Sequence, residues 1–167
     1  MEEALVEARQ SLSRGDFPVG AILVHQGAVV ARAHWTTSPP LRLLDHAELL
    51  VLADAERSGR ISRREQRRES TLYTTLEPCA LCMAAAMSFL LGEIVFAAEA
   101  AVDGGTNLPD VWQPLNGHPP DGTPYGIPTV IGGVRRDESL ALLGEWVRSD
   151  ESHAWAAGYL SSGTRST

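Results

Sequence analysis

Two apolar, β-branched runs, residues 19–25 and 28–35, are separated only by Gln26 and Gly27. A connection this short requires the two strands to lie side by side and antiparallel, because a parallel crossover needs a dozen residues or more. The chain therefore opens its sheet with a hairpin. Before it, Leu5, Val6, Ala8 and Leu12 fall near helical spacing between Met1 and Arg14, with Gly15 as a stop. After it, Thr36 to Pro40 ends the pairing, since consecutive prolines cannot continue a ladder.

Downstream the period alternates. Asp45 is placed to cap a helix running to about Ser58, with His46 and Glu48 in its first turn and Gly59 as its stop. Residues 71–76 read as a strand. Pro78 then opens a helix over 79–90, which Gly92 closes, and residues 93–98 read as another strand. A Gly/Pro-rich connection from Asp103 to Pro128 shows no period, and a loop of that length usually has a job. Residues 127–132 give a last strand, Asp137 caps a helix carrying Leu140, Leu142, Leu143 and Trp146, and residues 152–160 form a final short helix. Strands that alternate with helices predict an α/β fold, a three-layer α/β/α sandwich around a central five-stranded mixed sheet. One domain is expected over residues 1–160, with 161–167 as a flexible tail.

Charge and cysteine usage narrow the function. The net charge is −7 and the sequence contains no lysine; of its 14 arginines, Arg57, Arg60, Arg63, Arg64, Arg67 and Arg68 cluster in one stretch, read as a solvated helix end and linker. This balance opposes broad attraction to nucleic acid, which needs clustered cations facing phosphate. No apolar run is long enough to cross a membrane. The two cysteines are three positions apart, a spacing suited to a reducing cytoplasm rather than to a disulfide scaffold.

The chemistry resides in His46-Ala47-Glu48 and, some thirty residues later, Pro78-Cys79-Ala80-Leu81-Cys82. Cys79 and Cys82 at i and i+3 of a helix project from one face, and zinc favours thiolate and imidazole donors in a tetrahedron. His46 completes three protein ligands and leaves the fourth position for water, the arrangement of a catalytic rather than a structural site. Glu48, beside the ligand, is placed to move protons. A lone CxxC also suits a redox pair, and a closed structural zinc would need a fourth protein ligand, but His25, His34, His118 and His153 lack ligand spacing.

The combination H-x-E with P-C-x-x-C resembles the signature of zinc base deaminases. Together with residues 19–25, 71–79 and 94–98, and with Gly132-Gly133-Val134 followed by Asp137-Glu138-Ser139 and Leu142-Leu143, it is similar to the cytidine/deoxycytidylate deaminase superfamily. The likeness spans roughly residues 1–148 and is nearest the tRNA-adenosine-deaminase and guanine-deaminase branch. The resemblance implies Zn²⁺ held by His46, Cys79 and Cys82, proton transfer by Glu48, backbone around Ala47 and Pro78 helping to hold the base, and a homodimer. In tRNA adenosine deaminases an asparagine usually follows the aromatic residue that ends the second strand; here Thr36 follows Trp35. With the sparse basic surface, this favours a free nucleobase or nucleoside, purine-type, over RNA; tRNA adenosine or a cytosine-type substrate is the alternative. Thr36, Trp112 and Trp155 are candidate substrate contacts, and His118, His153 and Tyr159 candidate lid residues. Glu77 is assigned to fixing the turn, and Asp103 to the loop.

Overall fold

A computed structural model of the 167-residue chain describes residues 1–36, 42–114, 117–118 and 124–160. In chain order the elements are α1 (Glu2–Ser13), β1 (Gly20–His25), β2 (Ala28–His34), α2 (Ala47–Arg57), α3 (Arg64–Arg68), β3 (Ser70–Leu76), α4 (Ala80–Phe89), β4 (Glu93–Ala98), α5 (Leu108–Val111), β5 (Thr129–Ile131) and α6 (Arg136–Ser149), closed by a 3-10 helix, Glu151–Leu160. The sheet order is β2-β1-β3-β4-β5. Its first three strands pair antiparallel, and β3-β4 and β4-β5 pair parallel. This is the expected five-stranded mixed sheet with helices on its faces.

The hairpin forms where Gln26 and Gly27 both adopt positive φ, and a register shift between Leu23 and Val24 bends β1 against its partner. Successive β1 side chains point to opposite faces. Ala21 and Leu23 join a core with Val51 and Leu52 of α2, Met83 and Met87 of α4, Leu72 and Ile94. On the other side α1 lies hard against the strand: a Cβ at Gly20 would sit 2.2 Å from the Ala4 carbonyl oxygen. Only glycine permits that approach.

Several expected helix ends move. Asp45 does not cap α2; His46 is the N-cap, and Asp45 pairs with Arg42 at 3.5 Å. Pro78 does not occupy the first turn of α4, because Cys79 is the N-cap one residue later. Leu90, in the left-handed region, ends α4, while Gly92 instead accommodates the Arg68 carbonyl, 1.8 Å from where its Cβ would be. Arg135, also left-handed, caps α6 in place of Asp137 and pairs with Glu2 and Glu138. The arginine stretch is not simply a linker. It contains α3, whose Arg67 pairs with Glu56 at 2.8 Å and lies over the Phe89 ring. Pro39-Pro40 and residues 161–167 lie outside the described residues.

Candidate metal and substrate site

The N-termini of α2 and α4 converge beyond the ends of the central strands. His46 and Cys79 each hold extended backbone, and each offers its carbonyl to its helix, Leu50 N–H donating to His46 O at 3.0 Å and Met83 N–H to Cys79 O at 2.9 Å. Neither side chain makes a capping hydrogen bond. N-cap positions normally carry Ser, Thr, Asp or Asn, a preference worth about 1 kcal/mol. Its absence at both helices frees the imidazole and the thiol to face one another.

They do so with Cys82, the third residue of α4. His46 Nδ1 lies 3.6 Å from Cys79 Sγ and 3.4 Å from Cys82 Sγ, and the two sulfurs are 3.6 Å apart. A tetrahedral zinc with bonds of about 2.3 Å to sulfur and 2.0–2.1 Å to nitrogen requires ligand separations of roughly 3.5–3.8 Å. The donor set and its spacing therefore fit zinc. Among the described residues no other group of three or more His, Cys, Asp or Glu side chains clusters this way. The Cys79 thiol is pulled down to about 4, chiefly because Cys82 S–H donates to it, with His46 also contributing. Cys82 is pushed up for the complementary reason and by burial. The positive ends of two helix dipoles suit a cluster that takes up negative charge.

Glu48 is 4 % exposed. Thr74 Oγ1 donates to its Oε1 at 3.0 Å, and its Oε2 lies 3.7 Å from Cys82 Sγ, beside the candidate ligands. Burial holds its carboxyl above the usual range.

His46, Glu48 and Cys79 line a cavity of about 590 Å³, within the range of small-molecule sites. Trp35 forms one side, its ring centroid 4.4 Å from that of His46. The C-terminal 3-10 helix supplies another wall with Ser152, His153, Trp155 and Tyr159. It is fixed by aromatic packing: Phe17 touches Trp146, Trp155 and Tyr159 at centroid distances of 5.1, 5.8 and 5.6 Å. His153 stacks on Trp146 at 3.7 Å and contacts its carbonyl at 2.9 Å. Phe17 gave no sign of this role in the sequence, because its partners lie more than a hundred residues away.

Of the other sequence candidates, Trp155 and Trp35's neighbour Thr36 divide. Trp155 reaches the cavity, whereas Trp35 and not Thr36 lines it. Ala47 is fully buried in α2, and Pro78 uses its carbonyl to accept Gly105 N–H at 2.8 Å; neither side chain lines the cavity. Trp112 is a correction. It packs against Tyr125 and His118, at 4.7 and 5.8 Å, over a separate depression beside Met87 and Leu108. Leu108, Trp112 and Tyr125 of the long connection lie beside α4, away from the substrate cavity.

Glu77 does fix the turn. Its buried carboxylate accepts from Ala100 N–H at 3.1 Å, Thr106 N–H at 3.4 Å and Thr106 Oγ1 at 2.5 Å. This pulls residues 100–106 onto the start of α4, where Gly104 bridges Cys79. Asp103 is thereby carried to the cavity wall, which Tyr159 also lines. The sequence assigned it only to a loop.

Residues 1–98 match the family model of the cytidine and deoxycytidylate deaminase zinc-binding region. The chain belongs to that family. It is 39 % identical over 150 residues to a tRNA-specific adenosine deaminase of Bacillus subtilis, covering 89 % of this chain and 86 % of that one. Another, from Agrobacterium fabrum, is 34 % identical over 153 residues, covering 89 % and 91 %. A solved structure from work on A-to-I editing by tRNA:A34 deaminases superposes with a TM-score of 0.71 at 32 % identity, covering 86 % of this chain and 97 % of its own. A guanine deaminase from Nitrosomonas europaea has a TM-score of 0.65 at 22 % identity, covering 87 % and 81 %, and so shares the fold. This deaminase is therefore a zinc-dependent hydrolase of C–N bonds.

Proposed function

We propose that this deaminase acts on a free amino-substituted nucleobase or nucleoside, purine-type, releasing ammonia and leaving the carbonyl product. The observation that carries the reading is the C-terminal 3-10 helix, whose Trp155 and Tyr159 help to enclose the cavity. The described residues lining the cavity include Glu48, Glu77 and Asp103 but neither lysine nor arginine, whereas an RNA loop is held largely by cations on its phosphates.

In this reading His46, Cys79 and Cys82 would hold zinc, which when bound would supply Lewis-acid activation of the attacking water. Glu48 accepts the water proton, gives it to the ring nitrogen next to the amine-bearing carbon, and carries the second proton to the departing ammonia. Thr74 holds one carboxylate oxygen still and leaves the other for the transfer. Trp35 packs on the His46 ring and orients it, and the aromatic wall excludes bulk water from the reacting carbon. Assembly as a homodimer in the cytoplasm is part of the same proposal.

The second reading, deamination of adenosine in tRNA, is favoured by the names of the relatives that share 34–39 % of the sequence. Ammonia release separates the two. Zinc-loaded protein is incubated with amino-purines, amino-pyrimidines, their nucleosides and a tRNA anticodon stem-loop. Turnover of a free base or nucleoside, lost in Glu48→Ala while zinc is retained, supports the proposal; turnover confined to the stem-loop, weakening steeply with salt, overturns it. Full activity in Glu48→Ala overturns the proton-transfer assignment.

A further inference from the structure

Helix α1 carries two buried polar side chains that the chemistry described above does not use. Glu7 is 4 % exposed and Ser11 is fully buried. They stand four positions apart and so share one face of the helix. Both grip the end of β2. Glu7 Oε2 lies 2.8 Å from His34 Nδ1, and the Ser11 hydroxyl donates to the Trp35 carbonyl at 2.7 Å and to the Phe17 carbonyl at 2.8 Å. A serine has one hydroxyl proton, so the two acceptors share it in a three-centre bond. The main chain of Trp35 is also held through its N–H, which donates to Val19 O, while Val19 N–H donates to Phe17 O, both at 2.8 Å. Ser11 is thus the node at which α1, residues 17–19 and the end of β2 are tied together.

The two carbonyls that it holds belong to the residues whose rings brace the metal site. The Trp35 ring centroid is 4.4 Å from that of His46, and Phe17 meets Trp35 edge-on at 6.0 Å. A metal-ligating histidine is normally oriented by a hydrogen bond at its other ring nitrogen. His46 turns Nδ1 towards both sulfurs, and among the described residues none hydrogen-bonds to its Nε2. Packing against the indole takes over that task.

We infer that Ser11 is a positioning residue for the metal centre: its hydroxyl fixes the backbone of Trp35 and Phe17, and Trp35 in turn fixes the ring of the ligand His46. A helix on the opposite side of the sheet from α2 and α4 thereby sets the geometry of the site. The inference holds whether the substrate is a free heterocycle or tRNA. Losing an outer partner that orients a ligand weakens metal affinity or activity by roughly 10- to 100-fold.

The test measures zinc affinity by chelator competition and the visible spectrum of the cobalt(II)-substituted protein, whose ligand-field bands report ligand geometry. Ser11→Ala weakens zinc about tenfold and shifts the cobalt bands. Turnover of whichever amino-heterocycle or stem-loop is deaminated falls by a similar factor, chiefly through kcat. Ala4→Gly, another fully buried position of α1, is the control: it lowers the urea midpoint but leaves zinc affinity within about twofold of wild type and the cobalt spectrum unchanged. Trp35→Leu removes the ring and keeps the backbone contacts; it weakens zinc about tenfold, and Ser11→Ala adds nothing further in that background. Wild-type zinc affinity and cobalt spectrum in Ser11→Ala overturn the inference, as does full additivity of the two substitutions. If Ser11→Ala does not fold, wild-type zinc affinity in Trp35→Leu overturns it equally.

Discussion

Replacing Gly105 with alanine should damage the site without touching a ligand. The φ of Gly105 is negative, so alanine meets no backbone penalty there; the added methyl is opposed only by packing. It would lie 2.3 Å from Ala80 N, 2.5 Å from Ala80 Cα and 2.6 Å from the Cys79 carbonyl carbon. All three are main-chain atoms at the start of α4, and none can rotate away. Overpacking of this kind costs roughly 1–3 kcal/mol. Separating the segments also stretches the bond from Gly105 N–H to Pro78 O, adding about 1 kcal/mol. The expected loss is therefore about 2–4 kcal/mol, seen as a fall in the urea midpoint of the zinc-loaded protein at constant slope. Gly144→Ala is the control of opposite sign. Its new methyl meets only the mobile Arg148 guanidinium, at 3.0 Å, inside α6, so it should be neutral or stabilise by up to about 1 kcal/mol. Gly105→Ala with a midpoint equal to wild type would refute the close packing of the 100–106 segment on α4, and with it the placement of Asp103.

Phe17→Ala, at the hub of the aromatic wall, should cost about 3–5 kcal/mol and expose residues 151–160 to limited proteolysis and rapid amide exchange; unchanged protection of that segment would contradict the packing. Thr74→Val removes the donor to Glu48 Oε1 while keeping the shape, so stability should fall by about 1–3 kcal/mol and kcat by roughly tenfold, with KM little altered in steady-state kinetics. Zinc uptake should release protons in a pattern set by the unequal thiols. Cys79, near 4, has none to give at neutral pH, Cys82 has one, and His46, raised chiefly by its contact with Cys79, adds another only below its own titration. Calorimetry in buffers of different ionisation enthalpy should therefore find release falling from about two protons at acid pH towards about one at alkaline pH. A value of two at alkaline pH would contradict it.

The sheet was legible because its signals are local. The Gln26-Gly27 turn sets the hairpin, and the alternation of strand and helix periods sets the crossovers. Helix ends were less legible for a physical reason: His46, Cys79 and Arg135 occupy caps where sequence rules expect Asp or a following Pro. Two of those caps were surrendered to metal geometry. The clustering of His46, Cys79 and Cys82 was legible because each sits at a recognisable helix start, with the cysteines three positions apart. Asp103, Phe17 and Tyr159 meet only after the chain closes, through glycine contacts and aromatic packing that no short window contains. The long connection misled in the other direction, since Trp112 and Tyr125 pack against each other beside α4.

X-ray absorption at the zinc edge of the purified protein tests the central claim most directly. Three protein ligands with one open position predict two sulfur scatterers at about 2.3 Å and two nitrogen or oxygen scatterers at about 2.0–2.1 Å, one sulfur disappearing in Cys82→Ser. A metal shell without sulfur, or one unaltered by Cys82→Ser, would contradict the account.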